Sequence, residues 1–257
     1  MTKHVQWQGQ IDQEVYNALN QPGSMIVSPT KVGYIIMTND KAGLERKFDA
    51  KQRNRNKPGV VLCGSMEELK ELAQLTPSIE ALYQRHWDED ILLGCILPWQ
   101  PEAIEKYLQD DDRQELMMDR RQTSCFVIKF GTPSEQMAKA MWKQEGKMVY
   151  ASSANPSGKG NRGKVAGIGE RIESKADLIL DADDYVESIQ PDKTIDTRYE
   201  QGVMVSMVDE AGKIINDQPE AGQACPVVIR KGLDIDKIMM NLADQYDVWD
   251  YRHGQYY

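Results

Sequence analysis

Histidine is nearly missing from this sequence, with three in 257 residues. His4, His86 and His253 show no metal-ligand spacing, so no zinc site is expected. The four cysteines, Cys63, Cys95, Cys125 and Cys225, lie far apart and form no Cys-x-x-Cys pair. Three of them sit in apolar, strand-like runs and read as buried free thiols of a reducing cytosol. No apolar run approaches the roughly 18 residues of a membrane span, and no signal peptide opens the chain. The expectation is a cytoplasmic protein with no membrane partner. Positive charge is also short: 31 Lys and Arg against 40 Asp and Glu leave a net charge of -9. A general nucleic-acid coat is thereby excluded, though a local basic pocket is not. Internal repeats are absent as well.

What remains is ordinary for a globular chain, 40% apolar and 28% charged. The length fits one large domain, or one domain with extensions, able to bury a substantial core. Two stretches stand out. Lys51-Gln52-Arg53-Asn54-Arg55-Asn56-Lys57-Pro58 follows a helical stretch, Lys41 to Ala50, and precedes an apolar run, Gly59 to Cys63. Four cations closed by a proline suit a loop that receives a multiply charged anion, although such a run alone also fits a solvated face. Ser153-Ala154-Asn155-Pro156-Ser157-Gly158 follows the apolar run Lys147 to Tyr150. Small hydroxyl, amide and glycine residues let a backbone approach a ligand closely and supply directed donors, although such a cluster alone also fits a plain turn.

Taken together and in this order, the two stretches resemble the paired signature of the YrdC-like family, the threonylcarbamoyl-AMP synthases and their relatives. The family's Lys-x-Arg with a following Pro corresponds to Lys51, Arg53 and Lys57-Pro58, and its Ser-x-Asn to Ser153 and Asn155. Upstream, Pro29, Thr30 and Tyr34 are similar to the family's opening Pro-Thr turn and tyrosine, with Lys31-Val32-Gly33 departing from it. Downstream, Val203 to Asp209 resembles the Ser-Thr-Val-Val-Asp segment, which makes Ser206 the phosphate-contacting serine; an alternative alignment uses Thr194-Ile195-Asp196. Val227 to Gly232 resembles the closing strand and Arg-Pro-Gly turn, with Arg230 retained and Lys231 in place of proline.

The pattern between these points alternates strands and helices. Strands are expected at Met25–Val27, Gly33–Met37, Ile91–Leu97, Ser124–Phe130 and Leu178–Leu180. Ser65 three residues before Glu68 reads as a capping box, and Ile79–Trp87, residues 101–122 and Val165–Ala176 as helical. Lys159 to Lys164 is open between a mobile lid and a linker, and residues 181–202 read as an irregular acidic excursion. Residues 1–10 form an N-terminal arm, 11–235 the YrdC-like domain, and 236–257 a C-terminal helix with an aromatic tail. The fold class is α/β. The resemblance makes it a single-domain, twisted mixed sheet flanked by helices around a deep basic cavity.

The resemblance implies ATP-dependent carbamoyl-adenylate formation from bicarbonate and an amino acid, L-threonine in the standard case, for threonylcarbamoyladenosine modification of tRNA. Lys51 and Arg53 would carry the reaction by stabilising charge. Thr30, Tyr34, Lys57, Lys129, Ser153, Asn155, Ser206 and Arg230 would bind nucleotide or substrate. ATP and Mg2+ are the implied cofactors, with tRNA or another RNA as a further partner. Two positions depart at the amino-acid end. The family's histidine after the Lys/Asn-Pro falls at Leu62 or Cys63, and its arginine before the Ser-Ala-Asn loop is Lys129. The family's Trp-Pro-Gly-Pro turn also reads Trp87-Asp88-Glu89-Asp90. A non-catalytic nucleotide- or RNA-binding member of the same fold, or a relative acting on another amine, stands as the alternative.

Overall fold

The computed structural model describes residues 2–52, 59–109, 112–156 and 160–254. In chain order its strands are β1 (Lys3–Gln6), β2 (Ile26–Thr30), β3 (Gly33–Thr38), β4 (Val60–Leu62), β5 (Leu93–Pro98), β6 (Thr123–Ile128), β7 (Val149–Ser153), β8 (Leu178–Asp181), β9 (Val203–Ser206), β10 (Val227–Arg230) and β11 (Asp250–Tyr251). The helices are α1 (Gln13–Leu19), α2 (Lys41–Lys51), α3 (Met66–Leu72), α4 (Pro77–Asp88), α5 (Pro101–Tyr107), α6 (Gln114–Met117), α7 (Thr132–Ala140), α8 (Glu170–Glu173), α9 (Asp183–Ser188) and α10 (Ile235–Gln245). A π-helical turn, Met141–Glu145, prolongs α7. The protein is a mixed α/β structure, its sheet strands flanked by helices.

Two compact units form, Met1–Arg55 with Phe130–Glu200, and Asn56–Lys129 with Gln201–Tyr257. Each joins two stretches far apart in sequence, so no linear boundary marks either one.

In the first unit the strands run β1-β8-β2-β3-β7. The hairpin β2–β3 pairs from Ile26 with Met37 to Thr30 with Gly33. β7 lies antiparallel to β3, with Ser153 opposite Ile35, and β8 lies parallel to β2. Met25, Val27, Ile36, Ile168, Ile172 and Ile179 pack into one apolar cluster, each such side chain contributing about 1.5–3 kcal/mol by leaving water. In the second unit β4 and β6 are parallel, β6 and β5 antiparallel, β5 and β9 parallel, and β9 and β10 antiparallel. Ile96, Met204, Val208, Val227 and Ile229 form its cluster.

Local signals set the element ends. Asp40 caps α2 by accepting from the Gly43 N–H at 2.7 Å. Ser65 caps α3 through the Glu68 N–H at 3.1 Å, while the Glu68 carboxylate reaches back to the Gly64 N–H at 2.7 Å, a capping box shifted by one residue.

Several expectations change. Helix α2 runs one residue further than Ala50 and takes in Lys51, ending where Gln52 turns left-handed, φ 48°. Pro29 and Thr30 belong to β2 rather than to a turn. Proline is tolerated there because β8 pairs only with Ile26 and Val27, leaving Pro29 with a partner on one side. The N-terminal arm holds a strand: β1 pairs with β8, and Trp7 packs edge-on against Tyr185 at 5.2 Å. The expected helix over Val165–Ala176 is split into a 3-10 turn, Val165–Gly167, and α8, because Gly169 takes φ +89° between them. The acidic excursion contains α9, and the aromatic tail adds β11 beside β10.

Candidate functional site

The first unit brings parts of both signature stretches together. Because α2 extends through Lys51, that side chain leaves the last helical turn and is buried. Its ammonium lies against the end of β7, donating to the Ser153 carbonyl and, at 3.0 Å, to Ser153 Oγ. A cation at a helix C-terminus is favoured by the backbone dipole. Ser153 itself is exposed, whereas Ser152 before it and Asn155 after it are buried. Strand alternation explains the first contrast, since successive residues of β7 face opposite sides. The result is a buried lysine whose charge is presented beside an exposed serine, an arrangement able to bind an anionic oxygen by charge-assisted hydrogen bonds.

Asn155 directs its amide Nδ2 to the Pro156 carbonyl at 2.9 Å. Thr30 Oγ1 donates to the Gly33 carbonyl at 2.6 Å and accepts from the Val32 N–H, tying the β2–β3 hairpin. The Tyr34 hydroxyl donates to Asp183 at 2.7 Å and accepts from the Ala182 N–H at 3.0 Å. Burial, with Asp183 beside it, pushes that phenol well above its ordinary range. Arg53 and Lys57 lie outside the described residues.

The second unit holds the others. Lys129, left-handed at φ 53°, pairs with Asp90 at 2.9 Å and lies 4.9 Å over the Trp87 ring. Lys129, expected to stand in place of the family's arginine, therefore meets Trp87 at the end of α4 and Asp90 just beyond it. Leu62 and Cys63, expected at the family's histidine position, are buried. Ser206 is wholly buried in β9, its Oγ donating to the Val208 carbonyl at 3.3 Å, while the alternative Thr194 sits exposed against Thr197 in the first unit. Arg230 donates through Nε to the Gly202 carbonyl at 3.0 Å.

Two residues escaped the sequence reading. Asn161 is buried and hydrogen-bonded to the backbones of Tyr34 and Ala154; the glycines at 160 and 163 flanking one asparagine were the available signal. Glu68 is wholly buried, and its Oε1 has no hydrogen-bond partner among the described residues. Desolvation pushes its carboxyl up to about 8. Its capping-box position announced the helix start and hid the burial. Among the described residues no cluster of His, Cys, Asp and Glu could hold a metal ion, and no helix is long and apolar enough to cross a membrane.

The family model described as telomere recombination, Sua5/YciO/YrdC, matches residues 18–206. The chain belongs to this family. No curated protein matches it. Among solved structures it is similar to a hypothetical protein from Streptococcus mutans UA159, at 68% identity over 100% of both chains with a TM-score of 0.94. It also shares the fold of P. abyssi Sua5 complexed with L-threonine, at 20% identity and TM-score 0.60, covering 94% of this chain and 62% of Sua5. The chain thus spans less than two thirds of that protein. E. coli YciO has the fold at similar length, with 17% identity, TM-score 0.60, and 91% and 97% of the two chains covered.

Proposed function

We propose that this Sua5/YciO/YrdC-family protein is an enzyme that uses ATP to form a carbamoyl-adenylate from bicarbonate and an amino acid, as a cytoplasmic step toward modified adenosine in tRNA. The observation that carries this reading is the contact of Lys51 with Ser153, which unites parts of the two signature stretches in one unit.

The chemistry balances without a nucleophilic side chain. The amine nitrogen attacks the bicarbonate carbon, loses a proton and expels water, leaving a carbamate. A carbamate oxygen then forms a bond to the α-phosphorus of ATP as the bond to the β-phosphate oxygen breaks, and pyrophosphate departs. Lys51 supplies a fixed positive charge for phosphate oxygens, and Ser153 and Asn155 supply directed hydrogen bonds. Arg53 adds a cation from the adjoining segment, and Thr30 and Tyr34 of the same unit complete the proposed contacts with nucleotide and substrate. Mg2+ enters with ATP as part of the substrate.

The amine is the finer question. The Sua5 structure contains L-threonine, but here the residue aligned with the family's arginine is Lys129, whose ammonium is engaged by Asp90 and the Trp87 ring. A lysine lacks the bidentate fork that reads a carboxylate. This favours a relative in which threonine is a poor substrate and another amine a better one. Pyrophosphate release from ATP tests the reading when bicarbonate and an amino-acid mixture are supplied together and separately. Release that needs both supports it; release indifferent to bicarbonate contradicts it.

A further inference from the structure

Residues 159–164, open in sequence between a lid and a linker, contain a side chain placed for neither. Asn161 is 4% exposed. Its Nδ2 donates to the Tyr34 carbonyl at 2.8 Å and to the Ala154 carbonyl at 3.2 Å. Its Oδ1 accepts from the Gly163 N–H at 3.1 Å and from the Tyr34 N–H at 3.3 Å. One amide therefore spends two donors and both acceptor positions on the backbones of β3, of the Ser-Ala-Asn loop and of its own turn.

The surroundings are shaped for it. Gly33, with φ +140°, leaves the space Asn161 fills, since a Cβ there would lie 2.3 Å from Oδ1. A Cβ at Gly167 would come within 2.1 Å of the Asn161 carbonyl. Two positions thus accept only glycine so that this side chain and its backbone can enter. The Ala154 carbonyl it holds lies between Ser153, which meets Lys51, and Asn155.

We infer that Asn161 is a positioning residue: it fixes the Ser-Ala-Asn loop so that Ser153 and Asn155 face the nucleotide. This rests on the proposed ATP-dependent reading of that loop. Asn161 touches no reacting atom and acts through Ala154. A side chain that pre-pays the loop's ordering raises ligand affinity by removing that cost from binding.

The test is a double-mutant cycle on ATP affinity, measured by calorimetry on the full chain for the wild type, Asn161→Ala, Ser153→Ala and the double variant. Hydrogen exchange across residues 149–156 is followed in parallel. Asn161→Ala should weaken ATP binding about tenfold, the loss of one buried hydrogen-bonded anchor. It should weaken it far less when Ser153 is already alanine, because both changes act on one loop. Exchange should accelerate in residues 149–156 and not in the second unit. Should Asn161→Ala fail to fold, Asn161→Asp decides in its place, keeping the size and the acceptor while removing both donors. Unchanged ATP affinity, or an equal loss on both backgrounds, would overturn the inference. A wild type that binds no ATP would remove the proposed function; unchanged loop exchange in the variant would then overturn the clamp as well, and faster exchange would leave it standing.

Discussion

Removing the charge from Glu68 should stabilise the protein at alkaline pH and flatten its pH dependence. The carboxyl is wholly buried, accepts only the Gly64 N–H through Oε2, and leaves Oε1 unpartnered among the described residues. Desolvation, with Glu71 nearby as a smaller cause, raises its pKa from 4.5 to about 8 against the single Gly64 hydrogen bond. The folded state then holds this proton more tightly than the unfolded chain does. Its contribution is complete below pH 4.5 and is lost as pH rises through about 8. At about 1.4 kcal/mol per unit, that span sets a ceiling on the order of 5 kcal/mol. Glu68→Gln keeps the shape and an oxygen for Gly64 but cannot ionise. Urea midpoints at a series of pH values between 5 and 9 are the assay. The wild type should lose a few kcal/mol relative to Glu68→Gln across that range. Parallel curves for the two proteins would mean that Glu68 holds its proton no more tightly in the folded than in the unfolded state.

Lys51→Ala should weaken ATP binding by about 1.5–3 kcal/mol, the range for a hydrogen bond to a charged group, as read by calorimetry. Because Lys51 is buried rather than in an exposed loop, its removal should also lower the melting temperature, and an unchanged Kd would detach it from the site. Asn155→Ala should cost about 1–3 kcal/mol in ligand binding; a change in thermal stability alone would reduce its loop to a turn. Cys63, Cys95 and Cys125 are buried and Cys225 is half-buried. Burial pushes the Cys125 thiol up to about 12, so a thiol reagent should modify Cys225 first and the other three only on unfolding. Rapid labelling of more than one thiol in the native state would contradict the packing of the second unit.

Much of the fold was legible because its signals are local. Ser65 and the apolar runs at 25–27, 91–97 and 178–180 mark a helix start and three strands within a few residues. β1 was not legible: Lys3-His4-Val5-Gln6 carries one partly buried residue, and its strand exists through pairing with β8 far along the chain. The ends of β2 were missed because Pro29 argues for a turn until the one-sided pairing is known. Lys51 reads as a loop residue in sequence rather than as a buried lysine on a helix end, since one extra helical residue decides where that side chain points. Asn161 and Glu68 were invisible for a shared reason: a polar residue reads as exposed until the backbone groups around it are placed.

Carbamoyl-adenylate formation is read from its own product. The full chain is incubated with ATP, Mg2+, isotopically labelled bicarbonate and single amino acids, threonine included, and the nucleotide pool is weighed by mass spectrometry. A carbamoyl-AMP adduct carrying the bicarbonate label, formed poorly with threonine and better with another amine, is the predicted result. Labelled adduct absent with every amine, while ATP stays intact, would mean that the protein forms no carbamoyl-adenylate.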